Sequence, residues 1–261
     1  MKHVIRTVFL ALAVAAFVCP SANGQKKMKN TEVAKALEGY FTVATDGIVP
    51  PDSKGFIRRW TLLEPISKIN NTNRVFTDSY TRNAIMQEYF PGQFTVLPKD
   101  GDHVSVVMDY QPPVDLTSNR SSVQVTDQPK TVKSNLYWHS LDSDHFYVKL
   151  FRFATNLEKT RYGVIFWYVT VINCDEDIED VRLAVGSNCG SMWWLNDEEL
   201  LLLATDRHMG VDSAVSKKVT LKKGRNVLRG ATINGIGMSE FCARFLDDSG
   251  HPITNFTISC N

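Results

Sequence analysis

From Phe56 onward, short apolar runs alternate with polar turn clusters such as DEDIED and KKGRN. FIRRWTLLE (56–64), FTVL (94–97), HVSVVMDY (103–110), HFYVKLFRF (145–153) and YGVIFWYVTVIN (162–173) are rich in β-branched and aromatic residues, the signature of strands. The same holds for DVRLAVG (180–186), SMWWL (191–195), EELLLLA (198–204), SKKVTL (216–221), NVLRGATI (226–233) and EFCARFLD (240–247). Helical spacing is confined to two places. NTEVAKALEGYF, capped by Asn30 or Thr31, puts Val33, Ala36, Leu37 and Tyr40 near one face, and TDSYTRNAIMQEYF (77–90) carries a loose stripe of Tyr80, Ala84, Met86 and Phe90. Many strands with so little helix predict an all-β sandwich or jelly roll with a short N-terminal helix and one internal helix.

Two reversals stand out within this pattern. Asn196-Asp197 separates two strand-like runs, and both residue types tolerate the positive φ of a tight hairpin turn. Gly224 in LKKGRNVL reads as a second reversal. Alternation along 191–195 sends Trp193 and Leu195 to one face and Met192 and Trp194 to the other, so only one of the two adjacent indoles has to be core.

The first 24 residues stand outside the fold. A basic start (MKHVIR), an apolar run (TVFLALAVAAFV) and the small-x-small end Ala22-Asn23-Gly24 read as a secretory signal peptide that leaves Gln25 as the new N-terminus. A lipid anchor on Cys19 is the rival reading, but AFV lacks the small residue usually found before a lipidated cysteine. Residues 25–55 read as a leader with the short helix and, in DGIVPPDSKG, a linker; 56–261 is the sandwich. Without Lys2 and Arg6 the chain holds 27 basic against 28 acidic side chains, which gives no broad field for nucleic acid or an anionic membrane. Cys174, Cys189, Cys242 and Cys260 have no metal-knuckle or redox spacing, and buried free thiols and a disulfide both fit.

RRWTLLEPI, the glycine-bounded VRLAVGSNCGSMWWLN, DRHMGVDSAVSKKVTLKKGRNVL and FCARFLDDSGHPI occur in this order over about 56–258. In this the chain resembles the galactose-binding-like β-sandwich modules of Bacteroidetes polysaccharide-degrading proteins, and is similar to the non-catalytic N-terminal modules of acetylxylan and feruloyl esterases. The resemblance implies an exported module that binds plant-type (xylan-type) polysaccharide beside a catalytic esterase or hydrolase partner. Such modules commonly carry Asp-Asp-Gly before the tryptophan strand; here Ser187-Asn188-Cys189-Gly190 stands in that place, so a structural calcium leaning on those aspartates is not implied.

Three places can carry sugar-binding chemistry. Trp194 either stacks on a pyranose or packs against a neighbouring loop or domain, with Asn196 in the turn beside it. In NLYWHSLDSDH (135–145), Tyr137 and Trp138 sit in a polar stretch that reads as a carbohydrate lip or an ordinary strand entry. In ATDRHMGVDS (204–213), Arg207 and Asp212 either clamp vicinal hydroxyls or pair with each other. A metal held by Asp206, His208 and Asp212 is disfavoured, because calcium avoids histidine and zinc wants a fuller set; no other cofactor is called for. Trp60, Trp167 and Trp193 should be buried, and Trp138 and Trp194 should line one groove. There is no Gly-x-Ser-x-Gly elbow, and GMSEF (237–241) lacks its second glycine. A non-catalytic carbohydrate-binding module is therefore the expected function. A carbohydrate esterase or glycoside hydrolase relative with an unrecognised site, and a structural domain docking onto such an enzyme, are the alternatives.

Overall fold

A computed structural model describes residues 27–68, 77–110, 131–205, 207–235 and 237–261; the expected signal peptide lies outside them. The chain opens with helix α1 (Asn30–Ala36) and strands β1 (Phe41–Val43), β2 (Arg59–Leu63) and β3 (Ile66–Ser67). Helix α2 (Asp78–Met86), β4 (His103–Asp109), β5 (Thr131–Ser143) and helix α3 (Leu150–Asn156) follow. Next come β6 (Val164–Cys174), β7 (Ile178–Ser187), β8 (Ser191–Leu195), β9 (Glu198–Leu203), β10 (Ala214–Val215) and β11 (Val219–Leu221). The chain closes with β12 (Gly224–Asn234), β13 (Phe241–Leu246) and β14 (Thr257–Ser259).

The strands make a sandwich of two antiparallel sheets. The larger runs β1-β5-β2-β6-β12-β8-β9, with β3 and β14 also on β6 and β4 on β5; in the smaller, β7 pairs with β10, β11 and β13. At the centre of the larger sheet β12 pairs with β6 along its whole length, from Gly224 opposite Cys174 to Asn234 opposite Val164. Every residue of β6 except Asn173 is buried. The reason is that this sheet is covered on both faces, which its near-continuous apolar run VIFWYVTVI reflects. One face meets the smaller sheet in a core containing Trp60, Phe166, Tyr168, Trp193, Phe241 and Phe245. The other carries a second core of Leu63, Trp138, Trp167, Met192, Trp194 and Ile233 beneath Ile85, Tyr89 and Phe90.

The first core is closed by ring packing. Tyr168 stacks on Phe241 at 4.1 Å and 14°, with Trp60 edge-on to both. Gly230 makes room for this: a Cβ there would lie 2.1 Å from Tyr168 Cε2 and 3.0 Å from Trp193 Cε3. Gly186 likewise leaves space for the Gly210 carbonyl, 1.9 Å from where its Cβ would stand.

Two expectations change. HFYVKLFRF (145–153) contains the start of α3, not a strand, because Leu150, Phe153, Ala154 and Leu157 recur at the helical interval and all point into the core. FTVL (94–97) is a turn tied to Gly92 by the backbone N–H groups of Thr95 and Val96. Residues 135–143, open between a carbohydrate lip and a strand entry, are strand: they belong to β5, where Ser140 Oγ lies 3.0 Å from Thr61 Oγ1 and Asp142 clamps Arg59. The described part of the 25–55 segment packs onto the sandwich: Val33, Leu37 and Phe41 belong to the first core, β1 pairs with β5, and Val49 bridges Ile258.

The two helices read from sequence are present. Thr77 caps α2 by accepting the Tyr80 N–H at 3.1 Å, and the buried face is Thr81, Ala84 and Ile85, with Met86 exposed. Asn196 and Asp197 have φ of 49° and 69° in the β8–β9 hairpin. Gly224, at φ 89°, does not close a hairpin: β11 pairs with β7 and β12 with β6, so the chain changes sheets there.

Candidate functional site: a strip of half-exposed rings

All five tryptophans are buried, the three expected to be core and the two expected in a groove. Trp138 is 1% exposed and Trp194 5%. Alternation does send Trp193 and Trp194 to opposite faces, but the second face is covered too. There Trp194 stacks on Trp167 (5.6 Å, 21°) with Phe94 edge-on at 6.0 Å, and Trp138 meets Phe90 (6.2 Å, 83°). Neither ring offers a platform to a sugar, and this corrects the expectation. A single sequence shows which way a side chain points, not whether a distant segment folds over it.

The other expected contacts are also committed within the protein. Asn196 donates to Asn226 Oδ1 at 3.0 Å and accepts the Val227 N–H at 2.8 Å, locking the turn to β12. Asp212 pairs with Arg244, accepting Nε at 3.1 Å. Arg207 turns back onto the Ala204 carbonyl and Thr205 Oγ1 of its own loop. Arg207 and Asp212 therefore form neither a mutual pair nor a clamp. Tyr137 is half-buried on the opposite side of β5 from Trp138, with its ring 5.7 Å from that of His103. No group of three His, Cys, Asp or Glu among the described residues is placed to hold a metal. The four cysteines are free thiols, and burial raises the Cys242 thiol to about 12.

Below Tyr137 lies a buried polar cluster. Glu64 Oε1 is 3.3 Å from His139 Nε2, and its Oε2 is 3.0 Å from Lys159 Nζ and accepts the Tyr137 N–H at 3.2 Å. Burial pushes the Glu64 carboxyl up, but the His139 hydrogen bond and the Lys159 charge outweigh it and hold the group below the usual carboxylate range. This is one ionised carboxylate neutralised in place, whereas glycoside hydrolysis uses two with distinct roles.

Accessible aromatic surface lies elsewhere, where the β5–α3 connection meets the α1–β1 turn. His145 and Tyr147 stack at 5.5 Å and 12°, and Tyr40 lies 6.4 Å from His145. Lys149 Nζ sits 4.4 Å over the Tyr147 ring and the Arg152 guanidinium 5.1 Å over Tyr40, so two cations close the two ends of the strip. All five side chains are half-exposed. The strip is pinned from behind: Asp144 N–H donates to the Tyr40 carbonyl at 3.0 Å, Ser143 Oγ to the Tyr147 carbonyl at 3.1 Å, and Phe146 packs edge-on at 4.6 Å from Tyr147. Asp144 accepts from Thr42 at 3.2 Å, and Lys149 from α3's N-cap meets Glu240 at 3.4 Å. Exposed carbon–hydrogen surface next to hydroxyl, carboxylate and guanidinium groups is what a pyranose needs.

Sequence reasoning reached the edge of this strip, since 135–145 ends on His145. It missed the rest because Tyr40 is remote in the chain and Tyr147 was assigned to a strand. The usable signal was HFYVK, three rings and a cation directly after the polar stretch DSD.

No protein-family model matches the chain, and no curated protein sequence matches it. Among solved structures, a β-glucosidase from Kluyveromyces marxianus in complex with glucose aligns over 55% of this chain and 15% of its own, at 19% identity and a TM-score of 0.29. The selenomethionine-labelled form of a β-glucosidase from the same organism aligns over 69% of this chain and 23% of its own, at 17% identity and a TM-score of 0.30. The PA14 domain of the antifreeze protein MpAFP aligns over 83% of this chain and 96% of its own, at 12% identity and a TM-score of 0.36. The chain thus spans less than a quarter of either β-glucosidase structure.

Proposed function

We propose that this protein is an exported, non-catalytic carbohydrate-binding or accessory module. It holds polysaccharide on the strip of Tyr40, His145 and Tyr147, with Arg152, Asp144 and Glu240 meeting hydroxyl groups. The observation that carries this reading is the three-ring strip itself: aromatic groups half-exposed, held from below by backbone hydrogen bonds, and bordered by charged groups within reach of a ring laid across them. Pre-fixed aromatic side chains lose little entropy on binding, so a few such contacts give an affinity in the micromolar to millimolar range, about −4 to −8 kcal/mol. Export follows from the leader sequence, and the xylan-type ligand from the sequence resemblance.

Affinity electrophoresis on xylan, arabinoxylan and pectin tests it. Wild type should be retarded by at least one of these polymers. His145→Ala and Tyr147→Ala should each weaken retardation by about tenfold or more while melting within a few degrees of wild type. Retardation that survives both substitutions unchanged would show that the strip does not hold the polymer, and hydrolysis of an aryl acetate or feruloyl ester above background would show that the protein is catalytic.

A further inference from the structure

One arginine among the described residues is buried with none of its three guanidinium nitrogens hydrogen-bonded. Arg229, in the middle of β12, is 1% exposed, and its Nε, Nη1 and Nη2 find no hydrogen-bond acceptor among the described residues. Arg59, buried to the same degree, shows the usual arrangement. Arg59 is 2% exposed, donates from Nε and Nη2 to the two Asp142 oxygens at 2.7 Å each, and gives Nη1 to the Gly47 carbonyl at 3.0 Å. Arg229 has nothing comparable. Burial brings its guanidinium down to about 10, offset in part by the charge of Asp197, so it remains a cation at neutral pH. Asp197 is exposed in the β8–β9 turn. A buried, unpaired guanidinium is strongly unfavourable, and buried polar groups in folded proteins are almost always satisfied.

The surroundings define what would satisfy it. In the sheet register Arg229 lies between Val169 of β6 and Trp194 of β8, with Val227 and Ala231 on the same face two residues either side. These neighbours are apolar, and Trp194, Ala231 and Val169 belong to the second core. The guanidinium offers a planar fork of donors that matches a two-oxygen anion. Charge balance narrows the choice further. One negative charge leaves the pair neutral, whereas a dianion such as sulfate would leave a net charge in apolar surroundings.

We infer that Arg229 is the anchor of a second ligand site on the outer face of the larger sheet, for a monocarboxylate with a compact apolar body. The carboxylate accepts from Nε and one Nη, and the body of the ligand lies against Val227, the partly exposed neighbour on that face. The site shares no residue with the ring strip and stands independently of glycan binding.

Calorimetry and thermal unfolding of the full chain test this with sodium benzoate, sodium acetate and sodium sulfate, against sodium chloride at matched ionic strength. Wild type should bind benzoate with a Kd below about 1 mM, bind acetate more weakly, and melt several degrees higher at saturating benzoate. Arg229→Met should weaken benzoate at least tenfold. Arg229→Lys, which keeps the charge without the fork, should fall between the two. Should Arg229→Met not fold, the ¹⁵N shift of the Arg229 Nε in wild type decides, because it must move on adding benzoate and stay in place with chloride. Wild type that binds no carboxylate, or Arg229→Met that binds benzoate as wild type does, would overturn the site. Sulfate binding as tightly as benzoate would overturn the ligand class.

Discussion

At the scale of single residues, the two cores give sharply different costs to similar-looking changes. Trp194→Ala removes an indole sandwiched between Trp167 and Phe94. It should destabilise the protein by about 3–5 kcal/mol, the range for large-to-small core substitutions. Tyr147→Ala should cost far less, since that ring is half-exposed. Urea unfolding of both separates a tryptophan that packs the core from a tyrosine that does not. Gly230→Ala tests the opposite fault. The new methyl would press on Tyr168, whose ring is held by its stack on Phe241 and by the 2.9 Å hydrogen bond with Thr232, so about 1–3 kcal/mol or more should be lost to overpacking. Glu64 supplies a pH dependence. Its folded pKa lies below its ordinary value of 4.5, so its stabilisation is complete above about pH 4.5 and disappears as pH falls through the lower folded value. Below pH 4.5, wild type should therefore lose stability more steeply than Glu64→Gln in urea titrations run at a series of pH values.

At the scale of elements, β5 is the strand that organises the larger sheet's edge. It pairs with β1, β2 and β4, and the polar residues of its C-terminal half, Ser140 and Asp142, are met by Thr61 and Arg59 of β2. Asp142 on β5 holds Arg59 on β2 with both carboxylate oxygens. Asp142→Asn breaks that fork and leaves a buried cation half-satisfied. Because Asp142 keeps 29% of its side chain in solvent, the cost should be about 2–4 kcal/mol, below the full penalty for a sealed pair. Thermal unfolding should show it without a change in the stacked pair His145 and Tyr147, which belong to the connection beyond the strand. Helix α3 does two jobs here: Leu150, Phe153 and Ala154 fasten it to the core, and Arg152 on its other side reaches Tyr40.

At the scale of the molecule, a sheet covered on both faces joins the N-terminal helix, the sandwich and the α2 layer into one structure. Leu37 of the N-terminal segment is fully buried in the same core as Trp60 and Phe241. Leu37→Ala should therefore lower the stability of the whole chain by about 2–5 kcal/mol in a single transition, followed alike by tryptophan fluorescence and far-UV circular dichroism. An early, separate melting of the N-terminal segment would show instead that it is only attached to the sandwich. No helix of the described residues is long and apolar enough to cross a membrane.

The sequence determined the class of fold, most strand positions, the tight Asn196-Asp197 turn and the opposite facing of Trp193 and Trp194, because these rest on local propensity and on periods of two and 3.6 residues. It misplaced α3 because aromatic content outweighed the spacing of Leu150, Phe153, Ala154 and Leu157. It left 135–145 open between a carbohydrate lip and a strand entry because the partners that bury Ser140 and Asp142 are far away in the chain. Only the tertiary structure decided that Phe90 and Phe94 cover Trp138 and Trp194, that Asp212 belongs to Arg244, and that Tyr40 joins His145 and Tyr147. Burial and pairing are properties of segments brought together across the sheet, and local pattern carries no record of which segments those are.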